Sequence, residues 1–206
     1  MQAITDLIMY FQKGGLVMWP LLACSITVIA IAIERFIYYK SVDSGAVFVS
    51  RYCAAVRSGD FAVATELARK GSGQCAQMLA DVAAIVGGKE EKSAFLESRA
   101  GIFMATLRDK LDYLGIIVTM SPLLGLLGTI VGMIGAFSIF NVEAGAPMAI
   151  TGGIGEALIA TATGLCVAIL SLCAHSYFAH RMDNMITDME QCFSALLEAE
   201  TRRARS

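Results

Sequence analysis

The sequence predicts an all-α membrane protein in which three transmembrane helices continue into long cytoplasmic helical extensions. Three observations carry this. The 206-residue chain is 56% hydrophobic and only 17% charged, with mean hydropathy +0.64, whereas roughly one-quarter of an average soluble domain is charged. Apolar stretches at 14–33, 114–140 and 150–178 each reach the ~20 residues needed to cross a bilayer core. The charges are segregated, most of the 16 Lys and Arg falling between Lys40 and Lys110 or from Arg181 onward.

The elements follow in order. Over 1–13, Ile4, Leu7, Ile8 and Phe11 recur at helical spacing, which suits an amphipathic helix on the outer face, acting as an anchor and broken by Gly14-Gly15. The first transmembrane helix covers 14–39, with Tyr38, Tyr39 and Lys40 anchoring the inner interface and Trp19 near the outer one. Ala30-Ile31-Ala32 imitates a signal-peptide cleavage site, but here most of the positive charge, at Arg35 and Lys40, follows the apolar core. A signal peptide carries it before the core, so the span is read as retained.

Residues 40–113 form a cytoplasmic helical domain. Ser58-Gly59-Asp60 starts a helix over Phe61–Lys70, and Gly71-Ser72-Gly73 and Gly87-Gly88 are breaks. From Lys92 onward Leu96, Phe103, Leu107, Leu111 and Leu114 make one apolar stripe that can run unbroken into the second transmembrane helix, 114–140. A periplasmic turn at 141–149 leads to the third transmembrane helix, 150–180. The C-terminal cytoplasmic helix, 181–206, carries Met182, Met185, Met189, Phe193, Leu196 and Leu197 at helical spacing. By the positive-inside rule the N-terminus and the 141–149 turn face outward and the C-terminus is cytoplasmic.

Several chemistries are excluded. Gly88-Lys89 lacks the rest of a phosphate-binding loop, and no Ser/His/Asp or Cys/His constellation suggests an enzyme. The six cysteines, Cys24, Cys53, Cys75, Cys166, Cys173 and Cys192, show no paired spacing, which points to neither zinc nor a disulfide framework. His175 and His180 read as interfacial. No metal and no cofactor are expected, and a net charge of −2 suggests no nucleic-acid partner.

One residue stands apart. Glu156 is the sole charged side chain between Glu143 and Arg181, with the histidines counted neutral. An acid kept at membrane depth costs at least a few kcal/mol and usually faces a bundle interior or a water-filled path, where it handles ions or protons. At 100° per residue Gly153, Glu156, Ala160, Thr163 and Val167 share a narrow arc. In the second span Gly125, Gly128, Gly132 and Gly135 recur at three and four residues, a smooth face of the kind that brings membrane helices close. These smooth faces are read as the surfaces through which copies of the chain assemble.

Ser121-Pro122-Leu123-Leu124-Gly125-Leu126-Leu127-Gly128-Thr129-Ile130-Val131-Gly132-Met133 and Gly152-Gly153-Ile154-Gly155-Glu156-Ala157-Leu158-Ile159-Ala160-Thr161-Ala162-Thr163-Gly164-Leu165 resemble the MotA/TolQ/ExbB proton-channel family, most closely its ExbB and TolQ branch. The resemblance covers nearly the whole chain. It implies a ring-like homo-oligomer, a pentamer, in the bacterial inner membrane, whose second and third spans line a central pore around the single span of an ExbD- or TolR-like partner. It also implies that the proton motive force moves that partner and energises a TonB-type protein for outer-membrane nutrient import, or a TolA-like protein for envelope maintenance. Glu156 takes the place of the family's intramembrane acid, and Thr129 and Thr161 those of its polar threonines. Thr161 lies about 140° from Glu156 on an ideal helix while Thr163 is nearly eclipsed with it. Thr161 is therefore expected to face a neighbouring helix with Thr129 as its counterpart, and Thr163 to face the lumen. Where many relatives read Ala-Ile-Pro, this chain reads Ala168-Ile169-Leu170, so the helix need not kink there.

The rival from another class is a non-conducting membrane scaffold in which Glu156 only hydrogen-bonds between helices. A solute transporter fits less well, because there is no internal inverted repeat. The scarcity of polar cation ligands beyond Thr and Glu favours H⁺ over Na⁺.

Overall fold

The computed structural model describes Phe11, residues 14–142 and residues 147–203, with side chains outside 139–150. Apart from Phe11, the amphipathic helix expected over 1–13 lies outside the described residues, as does 143–146 of the expected turn. Six helices are described: α1 Met18–Val42, α2 Ala46–Arg57, α3 Phe61–Lys70, α4 Gln74–Ala83, α5 Lys89–Val142 and α6 Pro147–Arg203. Three of them are long and apolar enough to cross a membrane. At 1.5 Å per residue α5 and α6, with 54 and 57 residues, are each more than about 80 Å long, far beyond the ~30 Å of a bilayer core. Of the expected 141–149 turn, 141–142 are helical at the end of α5 and 147–149 are helical because α6 starts at Pro147. Proline is favoured at a first helical position, where its missing N–H would have no helical partner.

The chain divides into two compact units, Met1–Ile33 with Leu111–Ser176, and Glu34–Lys110 with Tyr177–Ser206. In the first, α1 and the residue just before it bury Val17, Met18, Leu21, Cys24 and Val28 at helical spacing. Val17, Met18 and Leu21 pack with Phe11, Leu124 and Ile159. The opposite faces stay open: Leu16, Leu123 and Leu158 are 79%, 64% and 64% exposed. So much contiguous apolar surface is tolerable only in lipid or against another chain. The protein is a multi-pass membrane protein.

The second unit is a helical bundle. Asp60 caps α3 by accepting from the Val63 N–H at 3.1 Å, a contact of the kind typically worth about 1 kcal/mol. Gly73, at φ +90°, has no room for a Cβ, which would lie 2.6 Å from the Ser44 nitrogen and 2.7 Å from the Asp43 carbonyl carbon. The stripe expected from Lys92 onward is buried at Leu96, Phe103 and Leu107, as are Met182, Met185, Met189 and Leu196 of α6. The two extensions thus pack within their own chain. Lys92 pairs with Glu200 at 2.6 Å, Arg181 with Asp43 at 2.6 Å, and the Tyr39 hydroxyl donates to the Leu107 carbonyl at 3.1 Å.

Candidate functional site

The site lies in the first unit, where α5 and α6 meet along their small residues. A Cβ added at Gly125 would lie 3.1 Å from the Thr161 Cα, and one at Gly128 would overlap the Ala160 Cβ. At Gly132 it would lie 3.0 Å from the Gly153 carbonyl oxygen, and at Gly153 2.5 Å from the Ala136 Cβ. At Gly164 it would lie 2.6 Å from the Ser121 carbonyl oxygen. Gly125, Gly128 and Gly132 therefore meet Gly153, Ala157, Ala160, Thr161 and Gly164 of the same chain.

This corrects two expectations. The smooth faces are used between α5 and α6 within one chain, so smoothness by itself is no argument for an oligomer interface. Gly135 makes no such contact among the described residues: a Cβ there would meet none of them within 4 Å. Ala136, one residue on and so about 100° round the helix, takes its place and is 2% exposed.

Thr161 meets the neighbouring helix as its angle suggested, but with another partner. The Thr161 hydroxyl donates across to the Gly125 carbonyl at 3.1 Å, whereas Thr129 donates within its own helix to Leu126 at 2.6 Å. Thr129 is thus not the counterpart of Thr161. Thr163 also bonds within its helix, donating to the Ile159 carbonyl at 2.8 Å. Nearby, Ser171 donates to the Leu114 carbonyl at 2.9 Å, while the fully buried Ser121 hydroxyl has no hydrogen-bond partner among the described residues.

Glu156 sits on the flank of this contact and is half-buried. Among the described residues it has no hydrogen bond and no ion pair. Its carboxyl end lies over Gly15, just before α1: a Cβ on Gly15 would overlap Oε1 and lie 2.8 Å from Cδ. Sequence reasoning missed this neighbour, since a Gly-Gly pair ahead of an apolar run reads only as a helix break. What could have found it is the pairing of an isolated acid with a glycine at φ +72°, visible only once the chain is folded.

The other titratable residues fall elsewhere. His175 lies beside Gly115, 3.7 Å from where a Cβ would be, and His180 is exposed. In the second unit Cys53 and Cys192 approach to 4.0 Å between sulfurs, a proximity their sequence spacing does not reveal. Burial pushes the Cys53 thiol up to about 11. The Cys192 thiol is also raised, first by its hydrogen bond with Cys75 and then by burial. Buried thiols of this kind pack and do not react. No group of three or more His, Cys, Asp or Glu suited to a metal occurs among the described residues.

With this geometry in place, comparison with known proteins is informative. The MotA/TolQ/ExbB proton channel family matches over residues 73–191. An ExbB-like biopolymer transport protein 1 of Synechocystis is 34% identical over 168 residues, which is 79% of this chain and 66% of that protein. A second Synechocystis protein, ExbB-like 3, is 31% identical over 78% of this chain and 79% of its own length. The biopolymer transport protein exbB1 of Vibrio cholerae is 27% identical over 87% of this chain and 82% of its own. The match to the first of these spans just under two thirds of that relative's length.

Proposed function

Because this chain belongs to the MotA/TolQ/ExbB proton channel family, we propose that it is a non-enzymatic subunit of a proton-driven motor in the bacterial inner membrane, with its N-terminus periplasmic and its C-terminus cytoplasmic. Copies of the chain, five in number, surround the single span of an ExbD- or TolR-like protein. Proton passage moves that partner, which in turn works on a TonB-type protein for nutrient import. A TolA-like protein would serve the envelope-maintenance variant of the same device.

The observation that carries this reading is Glu156: the one acidic side chain of the third span, half-buried, with no described hydrogen bond or ion pair. A structural acid at that depth would be paired, since an uncompensated polar group in an apolar setting costs several kcal/mol. An unpaired carboxyl is instead free to take and release a proton as its surroundings change. The energy scale is sufficient, each charge crossing the membrane gaining about 2.3 kcal/mol per 100 mV. Since the glycine faces of α5 and α6 are consumed within the chain, assembly would use the outward surfaces of the spans, such as those bearing Leu123 and Leu158.

The test is co-expression with a single-span protein carrying an intramembrane Asp, encoded beside this gene, followed by native mass measurement. Five copies around that partner are expected. A monomer that captures no single-span protein would refute the reading.

A further inference from the structure

The proposed function rests on the second and third spans and gives the first no part. The packing around Gly15 indicates more. Resting on that reading, we propose that the Gly14-Gly15 turn ahead of α1 is a seat for the Glu156 carboxyl, with Gly15 as a positioning residue that keeps the seat open.

Gly15 is constrained twice. Its φ of +72° is a conformation that glycine adopts without steric cost and most other residues avoid. The space a side chain would fill is already taken by three atoms of one neighbour: a Cβ would overlap Oε1 and lie 2.8 Å from Cδ and 3.3 Å from Cγ of Glu156. The carboxyl end therefore rests on the bare Cα face of the turn.

The seat is held rigidly from both sides. Gly14 donates to the Phe11 carbonyl at 3.3 Å, and the Met18 N–H donates to the Gly15 carbonyl at 3.2 Å. Val17, Met18 and Leu21 are buried with Phe11, Leu124 and Ile159 around them, and Ile159 is one turn along α6 from Glu156. A Cβ on Gly14 would lie 3.2 Å from Cγ2 of Ile159, and one on Gly128 would lie 3.7 Å from the Val17 Cβ. The start of α1 is thus fixed against both other spans at the level of the acid.

The carboxyl is seated by shape alone, with no described hydrogen bond or ion pair tying it down. Such a group can leave the seat for water or a partner's charge and return, without breaking a specific bond at each cycle. The first span supplies one wall of the switch.

The test is a double-substitution cycle read by dicyclohexylcarbodiimide, which adds to protonated membrane carboxyls, on the full chain in native membranes. Labelling of the Glu156 peptide is followed by mass. Gly15→Ala puts a methyl in the seat, pushes the carboxyl to the open side, and raises its labelling rate several-fold. In a Glu156→Asp background the acid is one methylene shorter and has no atom at the Oε1 position the methyl would overlap, so Gly15→Ala changes labelling much less. Gly15→Asn, whose residue tolerates positive φ better, should repeat the alanine result and supports the cycle should the alanine variant accumulate poorly. Equal effects of Gly15→Ala in both backgrounds would assign the change to backbone strain and overturn the seat, as would unchanged labelling in Gly15→Ala and Gly15→Asn. Labelling reports the position of the carboxyl and not motor output. A seat confirmed in this way alongside a fully active Glu156→Gln protein would leave the geometry standing and remove the proton switch.

Discussion

Gly155 and Gly164 lie on the same helix, nine residues apart, and the structure predicts opposite results for the same substitution. Alanine in place of helical glycine is worth about 0.8–1.0 kcal/mol from backbone entropy alone. A Cβ on Gly155 meets nothing within 4 Å, so Gly155→Ala should keep that gain. On Gly164 the new atom would lie 2.6 Å from the Ser121 carbonyl oxygen, 3.0 Å from the Gly125 Cα and 3.2 Å from the Gly125 nitrogen. Carbon–carbon contact is comfortable only near 3.5–4.0 Å, so α5 and α6 must part by about half an ångström or more. All three obstacles are backbone atoms, and no side chain can swing aside. Overpacking of this kind costs about 1–3 kcal/mol. The Thr161–Gly125 hydrogen bond, one turn away, is put at risk for about a further 1 kcal/mol. Net destabilisation of about 1–3 kcal/mol is expected for Gly164→Ala, against stabilisation of up to about 1 kcal/mol for Gly155→Ala. Unfolding of the purified protein in mixed micelles of rising SDS content measures both. Equal shifts would refute the claim that these helices pack face to face within one chain.

Two further outcomes concern the helical bundle of the second unit. Burial raises the Asp188 carboxyl above its ordinary 3.8, with Asp43 adding to the effect and Arg181 opposing it. The folded state then keeps a proton that the unfolded chain releases, so stability falls as pH rises from 3.8 through the folded value. Asp188→Asn should therefore raise the melting temperature near neutral pH and flatten that slope, and an unchanged profile would contradict the burial argument. With its thiol pushed up to about 11, Cys53 is only about one-thousandth thiolate at pH 8. Iodoacetamide should accordingly spare Cys53, and burial should shield Cys75 and Cys192 as well, while all three label after denaturation, as peptide mass will show.

Much of the fold was legible because the sequence carries it locally. The spans follow from apolar length, and the stripe through Leu96, Phe103 and Leu107 from helical spacing. The position of Thr161 against a neighbouring helix follows from 100° per residue. The partners of each face were not legible, since periodicity says which residues share a side and not what lies opposite. Gly125, Gly128 and Gly132 could equally have met another copy of the chain, and only coordinates place Ala157 and Ala160 over them. Gly135 was included by spacing, yet among the described residues it is Ala136 that meets α6. The Gly15–Glu156 contact joins residues far apart in sequence, and the approach of Cys53 to Cys192 does the same. Neither leaves a local trace.

The central claim is that Glu156 takes up and releases the protons that drive the motor. Its most direct measurement is proton flux into liposomes reconstituted with this chain and the proposed single-span partner, under an imposed membrane potential, for wild type and Glu156→Gln. The amide preserves shape and hydrogen-bonding capacity but cannot exchange a proton. The account predicts flux in the wild type and only the liposome background in Glu156→Gln, with the same complex mass in both. Full flux through the Glu156→Gln complex would contradict it.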